Sequence, residues 1–168
     1  MRQLAIQVRA VMVAADNYRR AMAAALGVGV TEISALGELR DDGPLTPSEL
    51  SRRLGLTSPS VTSLLDRLES AGLVVRRRHP ADRRSVLVQL TGGADAALAA
   101  LFELFSDDVT AAVESSDPDH IAELAAMLGG IAEAMSARAA DRDSVARDLA
   151  ERVARYRAGG RPPNASDS

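Results

Sequence analysis

The stretch LTPSELSRRLGLTSPSVTSLLDRLESAGL, residues 45–73, contains two helix starts separated by a tight turn. At the first start, Thr46 is the predicted N-cap, Pro47 takes the first helical position and Glu49 completes a capping box. This helix is short, because Gly55 suits the left-handed residue that commonly ends a helix.

The second helix follows two residues after that glycine. Ser58 is its predicted N-cap, Pro59 its first residue, and the pattern continues to about Ser70. Two short helices joined by a tight turn that contains glycine form a helix-turn-helix candidate, although many other helical hairpins share this spacing.

The second helix has two different faces when its residues are placed at about 100° intervals. The predicted core face consists of Val61, Leu64, Leu65 and Leu68. The opposite face carries Ser60, Thr62, Ser63, Asp66, Arg67 and Ser70. Its first half has small hydroxyl side chains and no acids, which suits a helix that enters the DNA major groove, but an ordinary solvated face fits equally well.

A β-hairpin is predicted directly after these helices. Val74 to Arg78 and Val86 to Leu90 are β-prone runs, and the loop between them is longer than a hairpin needs. Val86, Val88 and Leu90 alternate on one face of the second strand. A helix-turn-helix followed by a hairpin with a basic tip has the order of a winged helix, whose loop can place an arginine in the DNA minor groove.

Charge is divided unevenly along the chain, whose formal net charge is −3. Residues 46–90 contain eight arginines against four acidic residues, a local charge of +4, which leaves −7 for the rest of the chain. A basic middle between acidic segments indicates that one part of the chain meets a polyanion.

The segments on either side of this region are predicted to be helical, so the fold class is mainly α with a small β-hairpin wing. An N-terminal seam at helical spacing, typical of helices that pack on a partner, comprises Leu4, Val8, Val11, Ala15, Tyr18 and Met22. Beyond Gly93 two long helices are separated by Pro118, and a last helix carries Val145, Leu149, Val153 and Tyr156.

Composition excludes several classes of function. The chain has no cysteine and only two histidines, which argues against a disulfide framework and against a metal site. No nucleophile elbow, glycine-rich phosphate loop or acid–base–nucleophile set is present, so we predict neither an enzyme nor a bound cofactor. Charged residues interrupt the apolar N-terminus, and we expect a cytoplasmic protein with no membrane partner.

Residues 43–91 resemble the winged helix-turn-helix of the MarR family of bacterial transcriptional regulators. The resemblance is carried by LTPSEL, by SPSVTSLLDRLESAGLVVR and by DRRSVLVQLT. It implies a DNA-binding lobe over residues 31–92 between dimerisation helices at 1–30 and 93–157, with a disordered tail at 158–168. It also implies a homodimer, and the residues predicted at the dimer interface are Leu4, Val8, Val11, Val145, Leu149 and Val153.

The resemblance further implies specific DNA contacts. Arg84 would enter the minor groove and Asp82 would brace the wing, while phosphate would be met by Arg76, Arg77, Arg78 and Arg83. The recognition-helix contacts would be Ser58, Ser60, Thr62, Ser63 and Arg67. Many relatives carry Arg or Lys at the position of Ser63, so a different operator preference, or weaker binding with more reliance on the wing, is expected.

The function implied is that of a ligand-responsive repressor that binds a palindromic operator in double-stranded DNA. Members of this family respond to small molecules, often phenolic or anionic, that bind between the DNA-binding lobe and the dimer helices. Met12, Tyr18 and Met22 are candidate pocket residues, although residues at this spacing are more often plain core. The alternative is a helical partner-interaction protein that does not bind DNA and whose arginines form a solvated patch.

Overall fold

The structure is a computed structural model that describes residues 2–78, 80 and 85–158, except for the side chain of residue 142. Its elements in chain order are α1 (Arg2–Ala25), α2 (Val30–Asp42), α3 (Pro47–Leu54), α4 (Ser58–Ser70), β1 (Val74–Arg78), β2 (Val86–Leu90), α5 (Gly92–Val113), α6 (Pro118–Ala140) and α7 (Arg142–Arg157). The predicted fold class, mainly helical with one hairpin, is confirmed.

The start of α3 has the predicted capping box. The Thr46 hydroxyl accepts the backbone N–H of Glu49, while the Glu49 carboxylate accepts the backbone N–H of Thr46 at 2.8 Å. The Thr46 hydroxyl also donates to this carboxylate at 2.8 Å. The bonds from the Thr46 backbone N–H and hydroxyl hold the pKa of Glu49 below its ordinary value, because they stabilise the charged carboxylate. Gly55 ends the helix with φ +66°, the left-handed conformation that glycine adopts without strain.

The hairpin pairs β1 with β2 in antiparallel register, from Val74 opposite Leu90 to Arg78 opposite Val86. Leu45, just before α3, exchanges two backbone hydrogen bonds with Val88. This bridge ties the hairpin to the helix-turn-helix. The predicted common face of β2 is uneven in burial, because Val88 is fully buried while Val86 is 37% exposed.

One core holds the helix-turn-helix and the hairpin together. It includes the buried side chains of Leu36 on α2, Leu50 on α3, Leu65 on α4, Val74 on β1 and Val88 on β2. All five are at most 1% exposed, so each of these elements contributes to the same apolar cluster.

The start of α4 differs from the sequence prediction. The N-cap of α4 is Thr57, whose hydroxyl accepts the Ser60 N–H, and not Ser58, which is the first helical residue. Thr57 has the extended backbone conformation of an N-cap residue, with φ −75° and ψ 153°, which accounts for the difference.

The chain divides into two compact units, and the boundary falls within α5 between Val109 and Thr110. The first unit contains the helix-turn-helix and the hairpin. The second contains α6 and α7, where Arg138 forms an ion pair with Asp148. In the part of the chain that the structure describes, no single helix is long and apolar enough to cross a membrane; α1 and α2 meet that criterion only as a sharply bent pair.

Candidate nucleic-acid interface

Helix α4 is fixed in the lobe by one apolar face. As predicted, this face is buried, and its residues are at most 2% exposed: Val61, Leu64, Leu65 and Leu68. Burying four branched aliphatic side chains contributes on the order of 6 to 12 kcal/mol of transfer free energy, before the cost of ordering the chain. The opposite face of α4 is therefore held rigidly toward solvent.

The predicted contact residues in the first half of α4 are all exposed: Ser58, Ser60, Thr62 and Ser63. The Thr62 hydroxyl donates to the Ser58 carbonyl at 3.0 Å, and the Ser60 hydroxyl lies 2.8 Å from that of Thr57. Each hydroxyl oxygen can also accept a hydrogen bond from outside, because an oxygen that donates keeps its lone pairs. This surface can therefore approach base edges and phosphates closely.

Arg67, in the third turn of α4, forms an ion pair with Glu32 in the first turn of α2. Its Nε donates to Glu32 Oε1 at 2.7 Å. The two side chains differ in exposure, with 61% for Arg67 and 12% for Glu32. The pair links the candidate DNA-binding helix to the helix that precedes the helix-turn-helix.

Arg76 on β1 bridges the two acidic residues at the far end of α4. Its Nη2 donates to Asp66 at 2.7 Å, its Nη1 pairs with Glu69, and its backbone N–H donates to Glu69 at 3.3 Å. This local arrangement offsets the negative charge of α4 on the side where it would repel DNA. The phosphate contact predicted for Arg76 stays a prediction, and its guanidinium already has two carboxylate partners.

The other predicted wing residues fall into two groups. Arg77 and Arg78 are exposed and have no carboxylate partner among the described residues. Asp82, Arg83 and Arg84 lie outside the described residues, so their predicted roles remain predictions.

The arginines of α3 also differ from each other. Arg53 pairs with Glu38 at 3.0 Å and with Asp42, both on α2. Arg52 is exposed and lacks such a partner in the region that the structure covers. Helix α2 is thus joined by ion pairs to both helices of the helix-turn-helix.

The residues predicted at a dimer interface lie on outward-facing parts of α1 and α7. Leu4 and Val11 are 40% and 60% exposed, and Val8 is half-buried. Val145, Leu149 and Val153 are 39%, 61% and 37% exposed. Single exposed apolar residues are common on protein surfaces, but repeated ones along a helix mark an interaction face.

A cavity of about 310 Å³ lies within the first unit, between α1, α2 and α5. It is lined by Ala15, Tyr18, Arg19, Met22, Gly37, Arg40, Asp41, Leu98, Phe102 and Phe105. Of the pocket residues predicted from sequence, Tyr18 and Met22 lie in this lining. The Tyr18 and Phe105 rings pack edge to face, with centroids 5.6 Å apart.

The largely apolar cavity also has polar groups from Arg40 and Tyr18 in its lining. Arg40 lies over the Phe102 ring, with Cζ 5.9 Å from the ring centroid, and its buried Nη1 has no hydrogen-bond partner among the described residues. Desolvation raises the pKa of Tyr18, and the neighbouring Asp108 carboxylate raises it further. An apolar cavity with an unpaired cationic donor is suited to an anionic or phenolic ligand.

Sequence reasoning missed several residues of this region. Glu32 resembles an ordinary acid in the first turn of a helix, and its partner Arg67 is 35 residues away. In the sequence, Arg40 has only the features of an ordinary basic residue in the last turn of a helix. No pattern in the sequence pairs either of them with its neighbours.

Together, the α3–α4 pair with its buried apolar residues, the exposed hydroxyl face of α4 and the basic hairpin define a winged helix-turn-helix protein. Residues 26–85 match the model of the MarR family. The predicted resemblance to this family is therefore confirmed for the part of the chain that contains the helix-turn-helix and the first strand of the hairpin.

Known proteins are similar to this chain over its central part or most of its length. The HTH-type transcriptional regulator YcgE of Bacillus subtilis is 44% identical over 42% of this chain and 46% of its own length. The HTH-type transcriptional repressor YetL of B. subtilis is 32% identical over 56% of this chain and 57% of its own. The crystal structure of wild-type MarR from E. coli, 27% identical, covers 76% of this chain and 95% of its own with a TM-score of 0.60.

The match spans about half the length of these curated relatives. Both are named as transcription regulators, in agreement with the prediction that the chain is not an enzyme.

Proposed function

We propose that this chain is a sequence-specific DNA-binding regulator of transcription that acts in the cytoplasm. The observation that carries the proposal is the surface of α4, where four exposed hydroxyl residues precede Arg67 on a helix anchored by its buried apolar face. Such a helix can enter the major groove with its N-terminal half first. The exposed Arg77 and Arg78 on the adjacent hairpin supply charge for the phosphate backbone.

The regulator acts as a homodimer on a palindromic operator. The support is the exposed apolar surface on α1 and α7, which a second copy of the chain can cover. Two-fold symmetry places two recognition helices on half-sites about one helical turn apart, on the order of 10 bp. Because the relative YetL is named as a repressor, the proposal includes repression by occupancy of such a site.

A small anionic or phenolic molecule controls binding through the cavity between α1, α2 and α5. The cavity of about 310 Å³ fits a small ligand, and Arg40 supplies a buried donor that has no partner in the described part of the chain. A ligand that binds one dimer conformation more tightly shifts the population toward it and changes DNA affinity. Asp41 in the lining disfavours strongly anionic ligands on its own side of the cavity.

Operator selection tests the proposal. The full chain is used to enrich duplexes from a random pool, and the enriched sequence is examined by footprinting at physiological salt. We expect a symmetric protected site, with Arg84→Ala weakening binding through loss of the wing contact. A pool that shows no enrichment, with only weak and salt-sensitive binding, would support the alternative of a partner-interaction protein with a solvated arginine patch.

Two further measurements separate the finer parts of the proposal. Sedimentation equilibrium of the wild type and of Leu4→Glu tests the homodimer, because a charge in the apolar face should favour the monomer. Titration with salicylate as a probe, for the wild type and Arg40→Met, tests the cavity. Binding that is equal in both proteins would remove Arg40 from the effector site.

A further inference from the structure

The Glu32–Arg67 pair uses only one edge of the arginine fork. Nε of Arg67 donates to Oε1 of Glu32 at 2.7 Å, and the structure records no other polar partner for this guanidinium in residues 2–78, 80 and 85–158. A guanidinium carries five N–H donors in one plane, so a bond at Nε fixes the plane and leaves both terminal amino groups available. The side chain of Arg67 is 61% exposed, so these groups face solvent.

Glu32 is held firmly enough to direct its partner. The residue is charged and yet only 9% exposed, so its carboxylate is largely removed from water. It lies in the first turn of α2, where the helix dipole favours a negative charge. Its Oε2 lies only 2.0 Å from where a Cβ on Gly29 would be, so the carboxylate occupies space that glycine leaves open.

Arg67 extends the candidate DNA-binding surface of α4. Ser60, Ser63 and Arg67 follow each other at helical spacing of three and four residues, so they form one exposed stripe. Arg67 is about one turn beyond Ser63. Its long side chain can therefore supply a charged donor next to a position where the helix has only a hydroxyl.

Stability alone does not account for this geometry. An ion pair with one partner 61% exposed contributes little to folding, because water screens it and the arginine loses rotamer freedom. The same contact has a clear consequence for binding, since an arginine already ordered in the free protein loses less entropy when it meets DNA.

We propose that Glu32 is a positioning residue for DNA recognition, which orients the Arg67 guanidinium so that its two terminal amino groups meet a pair of acceptors on the DNA. The acceptors are either two oxygens of one phosphate or O6 and N7 of a guanine, both of which suit a bidentate guanidinium. This inference rests on the proposed DNA-binding function. It makes Glu32, which lies outside the helix-turn-helix and the wing, a determinant of the affinity or the specificity of DNA binding.

The decisive variant is Glu32→Gln, because positioning and simple electrostatics predict opposite results. Removing a negative charge from the lobe should strengthen binding to DNA if only long-range attraction matters. If Glu32 positions Arg67, binding should weaken by about fivefold or more, since the guanidinium loses its charged acceptor. Glu38→Gln is the matched control: it removes the same charge from the same helix, and Arg53 keeps Asp42 as a partner.

The assay is fluorescence anisotropy of the full chain on the selected operator, with thermal unfolding of each variant as a folding control. In an Arg67→Ala background, Glu32→Gln should no longer weaken binding. Arg67→Lys keeps the positive charge but replaces the planar guanidinium with a single ammonium group. One ammonium cannot bind Glu32 and two DNA acceptors with the geometry of a guanidinium, so Arg67→Lys should weaken DNA binding as Glu32→Gln does. This variant alters an exposed side chain and leaves the buried core intact.

The outcomes are distinguishable. If Glu32→Gln binds as tightly as Glu38→Gln, if Arg67→Lys matches the wild type, or if the loss persists without Arg67, the positioning role is overturned. Relaxed discrimination at one base pair of the operator assigns the contact to guanine, and a uniform loss on all sequences assigns it to phosphate. A wild type that selects no operator would instead refute the proposed function.

Discussion

Replacing Arg78 with alanine should make DNA binding less dependent on salt. Arg78 lies on the same face of β1 as Arg76, which reaches α4, and it is exposed with no carboxylate partner among the described residues. Three exposed arginines have no carboxylate partner among the described residues: Arg52, Arg77 and Arg78. Together with the arginines of the hairpin loop, they lead us to expect about three to four phosphate contacts per protomer. A dimer would then show a slope of log K against log salt of roughly −6.

Each dimer loses two contacts in this variant, so the slope should become shallower by about 1.8, equivalent to about thirtyfold weaker binding near 0.15 M salt. Anisotropy titrations of a fluorescent operator at a series of NaCl concentrations measure both quantities. Arg53→Ala is the matched control, because Arg53 is engaged with Glu38 and Asp42 and should leave the slope unchanged. An unaltered slope for Arg78→Ala, or an equal change for Arg53→Ala, would refute the assignment of these arginines from their ion pairs.

Three predictions concern stability. Leu65→Ala should lower the free energy of unfolding by about 3 to 4 kcal/mol, because Leu65 is fully buried, whereas Ser63→Ala on the exposed face should change it by less than about 0.5 kcal/mol in the same denaturant titration. Gly55→Ala should cost about 1 to 2 kcal/mol by the same measurement, since φ is +66° there. Glu49, whose pKa is lowered by its bonds to Thr46, stabilises the fold above its unfolded pKa of about 4.5, and this contribution disappears as the pH falls through the lowered folded value. Glu49→Gln should therefore lower stability at neutral pH and flatten the acid limb of the unfolding curve; an acid limb as steep as in the wild type would contradict this.

Local sequence signals were sufficient to predict the elements of the helix-turn-helix and the hairpin. The capping box at Thr46, the strand bounds of β1 and β2, and the core face of α4 all agree with the structure. Each of these depends on residues within about four positions of each other, or on a periodicity that a short window contains. Where two neighbouring residues could serve the same role, as Thr57 and Ser58 could at the cap of α4, the sequence did not distinguish them.

Tertiary packing alone decided which charges meet. Nothing in the sequence indicates that Glu32 meets Arg67, that Arg76 neutralises Asp66, or that an amino group of Arg40 is buried without a partner in the described chain. These outcomes depend on how α2 and β1 pack beside α4, and on how α2 packs between α1 and α5. The environment of a charged side chain is formed by residues from distant parts of the chain. The sequence around that residue therefore does not show whether the side chain is solvated, paired with an opposite charge or directed at a ligand. The sequence by itself therefore determined the winged helix-turn-helix and its basic character, while the tertiary structure determined which of the described arginines have carboxylate partners and which do not.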